Sequence, residues 1–157
     1  LISGLMFMSV GVIYNTTHTR MVGDMSGIAD RMPVTAAIFL AGAFGYMGLP
    51  SMAGFAGEFF IFKGAFASTV HNGMPVLTAT AMFGIVIVAG YLLFAMQQTL
   101  FGPFGFDGGD TIKRAPIQEI VPPAILLSFV IILGVAPDLF FGIIQEAVIP
   151  ILTGGGA

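Results

Sequence analysis

The stretch Leu49-Pro50-Ser51-Met52-Ala53-Gly54-Phe55-Ala56-Gly57-Glu58-Phe59-Phe60-Ile61-Phe62 places a single carboxylate, Glu58, in an otherwise apolar run. If lipid surrounds that run, an ionised carboxylate there costs roughly 2.5–3.5 kcal/mol on insertion scales. Packing alone seldom repays such a cost, so an intramembrane acid reads first as part of an ion or proton path. The neighbourhood is rich in helix breakers: Gly48, Pro50, Gly54 and Gly57. Proline removes a backbone donor and glycine loosens the hydrogen-bond ladder, so a discontinuous helix is predicted near 54–57. Broken helices at membrane depth line cavities or are buried in protein, and they mark transport sites. A carboxylate beside such a break exchanges protons with cavity water. Desolvation and a neighbouring cation act on its proton affinity in opposite senses, which makes it switchable. The bland alternative is structural pairing of Glu58 with an adjacent helix.

Composition supports the membrane premise. Of 157 residues, 57% are hydrophobic and 8% charged, against about 25% charged in an average soluble domain. The mean hydropathy is +1.00. A soluble fold would leave too much apolar area in water, so the expectation is an all-α, polytopic transmembrane helix bundle, integral to the cell membrane. There is no cysteine, which excludes thiolate metal sites, iron–sulfur ligation and disulfides within this chain. Nothing forms a basic stripe for nucleic acid, and two isolated histidines make no metal site. The chain has no nucleophile elbow, phosphate loop or dinucleotide fingerprint. No cofactor and no soluble small-molecule substrate are therefore expected here, and any redox or hydrolytic step is expected elsewhere.

The chain starts at Leu1, inside an apolar run, and reads as the C-terminal fragment of a larger membrane protein. Residues 1–152 are predicted to form one transmembrane helical domain. Its spans fall at about 1–14, 33–49, 51–70, 75–101 and 119–136, with a short helix at 139–152 and a flexible tail at 153–157. Pro33 opens the second span, where a missing N–H costs nothing. The fifth span is expected to begin around Pro122-Pro123, and Asp138 is placed as the cap of the short helix. If 33–49 and 51–70 are separate crossings, Arg20 and Arg31 lie on one side and Lys113 and Arg114 on the other. The positive-inside comparison is then nearly balanced. Small residues at 37, 41 and 45 suit close helix packing, but an Ala/Gly-rich chain offers them anyway.

Two further residues are candidates for a proton path. Lys63 lies five residues after Glu58, which turns about 140° on a regular helix, so the pair would not share a face. Its long stem suits snorkelling toward the interface, although a break between the two would bring them together. His18, in Tyr14-Asn15-Thr16-Thr17-His18-Thr19-Arg20, stands at a span end. It is a residue type able to relay protons near neutral pH, or an ordinary interfacial histidine. Gln97 and Gln98 serve equally as water holders or as interhelical hydrogen-bonding groups.

Gly48-Leu49-Pro50 followed by Gly54-Phe55-Ala56-Gly57-Glu58-Phe59 resembles the signature of the antiporter-like membrane subunits of complex I and the Mrp-type cation/proton antiporters. Thr17-His18-Thr19-Arg20, Met32-Pro33 and Leu100-Phe101-Gly102 fit the same pattern. Relatives of the L and N type typically carry lysine at the Glu58 position, whereas the M type of NADH-quinone oxidoreductase carries glutamate, so the likeness is to the M type. The resemblance implies that Glu58 ends a chain of buried charged residues crossing the membrane domain, with a glutamate and two lysines preceding Leu1. It implies proton translocation coupled to electron transfer to quinone elsewhere in a complex, with other membrane subunits and the bilayer as partners. It assigns Lys63 no role. A cation/proton antiporter without electron transfer, a membrane-bound hydrogenase relative, and a purely structural helix scaffold remain as rival readings.

Overall fold

The computed structural model describes residues 1–22, 25–68, 73–102 and 114–152, with the side chains of 145 and 150–152 outside the description. The His71 turn, Asp24, most of the Gly-rich connector including Lys113, and the 153–157 tail lie outside the described residues. Among those described, the regular structure is seven α-helices: α1 (Ile2–Thr17), α2 (Ile28–Arg31), α3 (Pro33–Tyr46), α4 (Ala53–Ala67), α5 (Met74–Leu100), α6 (Ile117–Val135) and α7 (Asp138–Leu152). α5 and α6 are long and apolar enough to cross a membrane; α1 and α3 are shorter apolar helices.

Helix ends follow from local chemistry. Proline at the first position opens α3, where a missing donor is harmless. α6 starts at Ile117, ahead of the expected proline start, and takes Pro122 and Pro123 into its second turn. The prolines leave the carbonyls of Gln118 and Glu119 without the usual donor four residues on. Asp138 stands in the first turn of α7 and not ahead of it. The buried hydroxyls of Ser9, Thr17 and Thr78 turn back onto their own helices, while that of Thr35 has no partner among the described residues. Ser9 Oγ donates to the Leu5 carbonyl at 2.8 Å and Thr17 Oγ1 to that of Ile13 at 2.9 Å. That is the economical way to satisfy a hydroxyl where water is absent.

α1, α3 and α6 pack on one another. Gly42 and Gly45 let α1 come close to α3: a Cβ at Gly42 would meet Met6 Sδ at 2.9 Å, and one at Gly45 would touch Ile2 at 3.5 Å. Leu5, Ile38 and Val130 centre this seam. A second cluster joins Val12, Ile13, Ile28, Met32, Met96, Leu100 and Ala115. Ala36, Ala43 and Met47 carry it along α3, and at its Met32 end the C-terminal ends of α1 and α5 meet the N-terminal approaches to α3 and α6. Arg20, Arg31 and Arg114 flank these segments, so we call that end of the bundle the arginine end.

This packing changes the order of crossings. α3 and α4 have 14 and 15 residues, about 21 and 22 Å each, short of roughly 30 Å of hydrocarbon. The chain leaves the arginine end at Met32 and is back there at Leu100, having returned along the single long helix α5. α3 and α4 therefore form one interrupted crossing. Arg114 lies at the same end as Arg20 and Arg31, not opposite them as counting two separate spans suggested. The interruption also sits earlier than expected, at 47–52; Gly54 and Gly57 are inside an unbroken α4.

Candidate functional site

The interruption is a tight turn built on two left-handed residues, Gly48 (φ 64°) and Ser51 (φ 76°). Leu49 N–H donates to the Phe44 carbonyl at 3.2 Å and Met52 N–H to that of Leu49 at 3.1 Å, so part of the backbone is satisfied without helix. Two glycines hold the neighbouring helices against it. A Cβ on Gly54 would run into the Gly45 carbonyl. One on Gly134 of α6 would run into the backbone of Ser51 and Met52.

Glu58 follows in the second turn of α4, half-buried. Its carboxylate lies over Gly48, where a Cβ would collide with it. Glycine is thus required twice at that position, by the positive φ and by the carboxylate above it. Among the described residues, no hydrogen-bond or ion-pair partner reaches Glu58. It borders a cavity of about 370 Å³ walled by Phe55, Phe59, Phe62 and Phe66, with Met82 and Ile85 of α5 opposite. Met82 and Ile85 stand 8 and 11 residues after Met74, about 12–17 Å along a helix some 40 Å long. The cavity therefore opens at hydrocarbon depth, on the side of the bundle away from the arginine end.

Lys63 borders the same cavity. The angular argument against a shared face holds for the helix itself, but the cavity wraps far enough around α4 to meet both side chains. They form no direct ion pair. The other candidate is elsewhere. His18 caps α1 at the arginine end in a left-handed conformation (φ 55°), its N–H donating to the Tyr14 carbonyl at 2.7 Å. Its ring stands edge-on to Tyr14 with centroids 6.4 Å apart. Gln97 and Gln98 border a different cavity with Ser26 at that end. Two features went unmarked in the sequence. Gly134 reads as one small residue among many, and Glu119 reads as a span limit, yet its Oε2 is buried without a partner among the described residues. No cluster of potential metal ligands occurs among those residues.

Residues 1–100 match the protein family described as NADH:quinone oxidoreductase/Mrp antiporter, transmembrane. The chain belongs to that family. The matched region takes in α1 to α5, the interrupted crossing and Glu58. Among its relatives is the F(420)H(2) dehydrogenase subunit M of Methanosarcina mazei, 31% identical over 99% of this chain and 31% of its own length. The NADH-quinone oxidoreductase subunit M of Rhodobacter capsulatus is 35% identical over 94% of this chain and 28% of its own. An NAD(P)H-quinone oxidoreductase chain 4 of Synechococcus elongatus is 31% identical over 88% and 26%. The chain thus spans under a third of the length of these relatives, and its likeness to the M type extends along nearly all of it.

Proposed function

We propose that this chain forms the Glu58-bearing part of a proton-translocating, M-type membrane subunit in a respiratory quinone oxidoreductase of the cell membrane. The observation that carries the reading is an acid with no protein partner among the described residues, bordering a cavity beside an interrupted helix at hydrocarbon depth. Water entering such a cavity can deliver or remove the carboxyl proton, and the gap in the helix leaves polar backbone beside it. Electron transfer to quinone belongs to other subunits of the complex, and this chain requires no redox cofactor of its own. Moving one charge across 100 mV is worth about 2.3 kcal/mol. A modest change in the charge facing Glu58 therefore suffices to load or unload it. Lys63, on the same cavity, is the nearest candidate to supply such a change. His18, at the arginine end, would serve only as an outlying relay.

The named relatives use different electron donors, F420H2, NADH and NAD(P)H by their names; all three names describe electron transfer, and two of them name quinone, which favours redox-coupled pumping over simple cation/proton antiport. The test is Glu58→Gln in the full-length subunit, assembled in its complex and reconstituted in liposomes. Proton transfer through this subunit should slow by about tenfold or more, read as lower proton uptake per electron passed to quinone, with assembly intact. Unchanged pumping at unchanged turnover would reduce Glu58 to a structural residue. Sodium-driven proton movement without any electron donor would point to an antiporter instead.

A further inference from the structure

Between α1, α3 and α5, at the arginine end, lies a second cavity of about 680 Å³ that the proton path does not use. Its body is apolar, with Phe7, Val10, Ile13 and Phe39 among its walls, while Thr19 and Arg20 stand at its rim. The Arg20 guanidinium rests 4.8 Å from the centroid of the Tyr14 ring, a stacking that holds it in place without neutralising it. Among the described residues no carboxylate pairs with it. Arg31 and Arg114 belong to the same end, where Asp30 and Glu119 offset them, so the attraction for an anion at the cavity mouth is that of Arg20 itself. An oily chamber with one fixed cation at its mouth is complementary to an amphiphile with a negative head. Basic pockets between transmembrane helices commonly serve this way.

We propose that this cavity is a binding site for an anionic phospholipid, with its phosphate on Arg20 and one acyl chain between α1 and α5. The alternative occupant is an apolar helix from elsewhere in a longer chain, which would cover the walls but leave the Arg20 cation unmatched at the rim. The inference stands apart from any role of Glu58.

The test uses the full-length subunit in its complex, reconstituted in nanodiscs with phosphatidylglycerol or phosphatidylcholine spin-labelled on the acyl chain. Spectra should show an immobilised phosphatidylglycerol population exceeding that of phosphatidylcholine. Arg20→Gln should lower that preference by about fivefold, the worth of one arginine at an anionic surface. Gly11 borders the cavity and has open space beyond its Cα. Gly11→Leu should therefore displace both lipids while leaving turnover unchanged. The proposal fails if wild type immobilises the two lipids equally, if Arg20→Gln keeps the preference, or if inorganic phosphate abolishes it. Absence of any immobilised lipid, the result expected of a cavity filled by protein, also refutes it.

Discussion

Replacing Gly134 by alanine should disable the site from a helix that contributes nothing to its chemistry. The new Cβ would stand 2.5 Å from Met52 Cα and closer still to the Ser51 carbonyl and the Met52 carbonyl carbon. Ordinary carbon contacts are 3.5–4.0 Å, so α6 or the turn must retreat by about 1 Å. The opposing atoms are backbone, so no side chain can swing aside. Overpacking of this kind costs typically 1–3 kcal/mol, enough to weaken the bundle without unfolding it. The larger effect falls on Glu58, which hangs from α4 a turn and a half beyond the shifted segment. Displacements of about 1 Å can cost 10²-fold in a proton-transfer geometry. Gly84→Ala, on α5 with nothing within 4 Å of its Cβ, is the matched control, expected to be neutral or slightly stabilising. Proton-to-electron ratios of the reconstituted complexes, with thermal midpoints measured alongside, give the comparison. Wild-type ratio and midpoint in Gly134→Ala would show that the turn does not depend on this contact.

Gly48→Ala should cost about 1–2 kcal/mol from the left-handed backbone alone and push the Glu58 carboxylate off its position. Gly48→Asn, which tolerates positive φ but also carries a Cβ, should recover stability and not pumping; recovery of both would separate the carboxylate from the turn. The bundle end bearing Arg20, Arg31 and Arg114 should face the cytoplasm by the positive-inside rule. The chain has no cysteine, so a single cysteine at exposed Met21 should label with a membrane-impermeant maleimide only in inside-out vesicles. Labelling in right-side-out vesicles would reverse the orientation.

The membrane bundle and the interrupted helix were legible because composition and Gly48, Pro50 and Glu58 carry them directly. The placement of the break was not. Gly54 and Gly57 look like breakers in one dimension, but Gly54 provides close approach to the Gly45 carbonyl of α3, and Gly57 faces open space inside an unbroken helix. The shared cavity of Glu58 and Lys63 was hidden for a related reason: helical angles describe one helix, while the cavity's extent is set by α5. Likewise, the position of Arg114 followed from which helix ends share a core, a long-range fact that span counting cannot supply. The two prolines of α6 pointed to a start that the helix passes over, because tertiary packing of Ile120 and Ala124 against α1 and α3 outweighs two missing bonds.

Those two missing bonds matter for how motion travels. The first turn and a half of α6 is tied to the remainder by fewer rungs than a proline-free helix would have, so its line is held by the packing of Ile120 on both core clusters. A disturbance arriving from the arginine end meets Pro122 and Pro123 before it meets Gly134. The clamp on the turn beneath Glu58 stands beyond both prolines, on the stretch of α6 whose backbone ladder is unbroken, so its grip is set by the stiffer part of that helix.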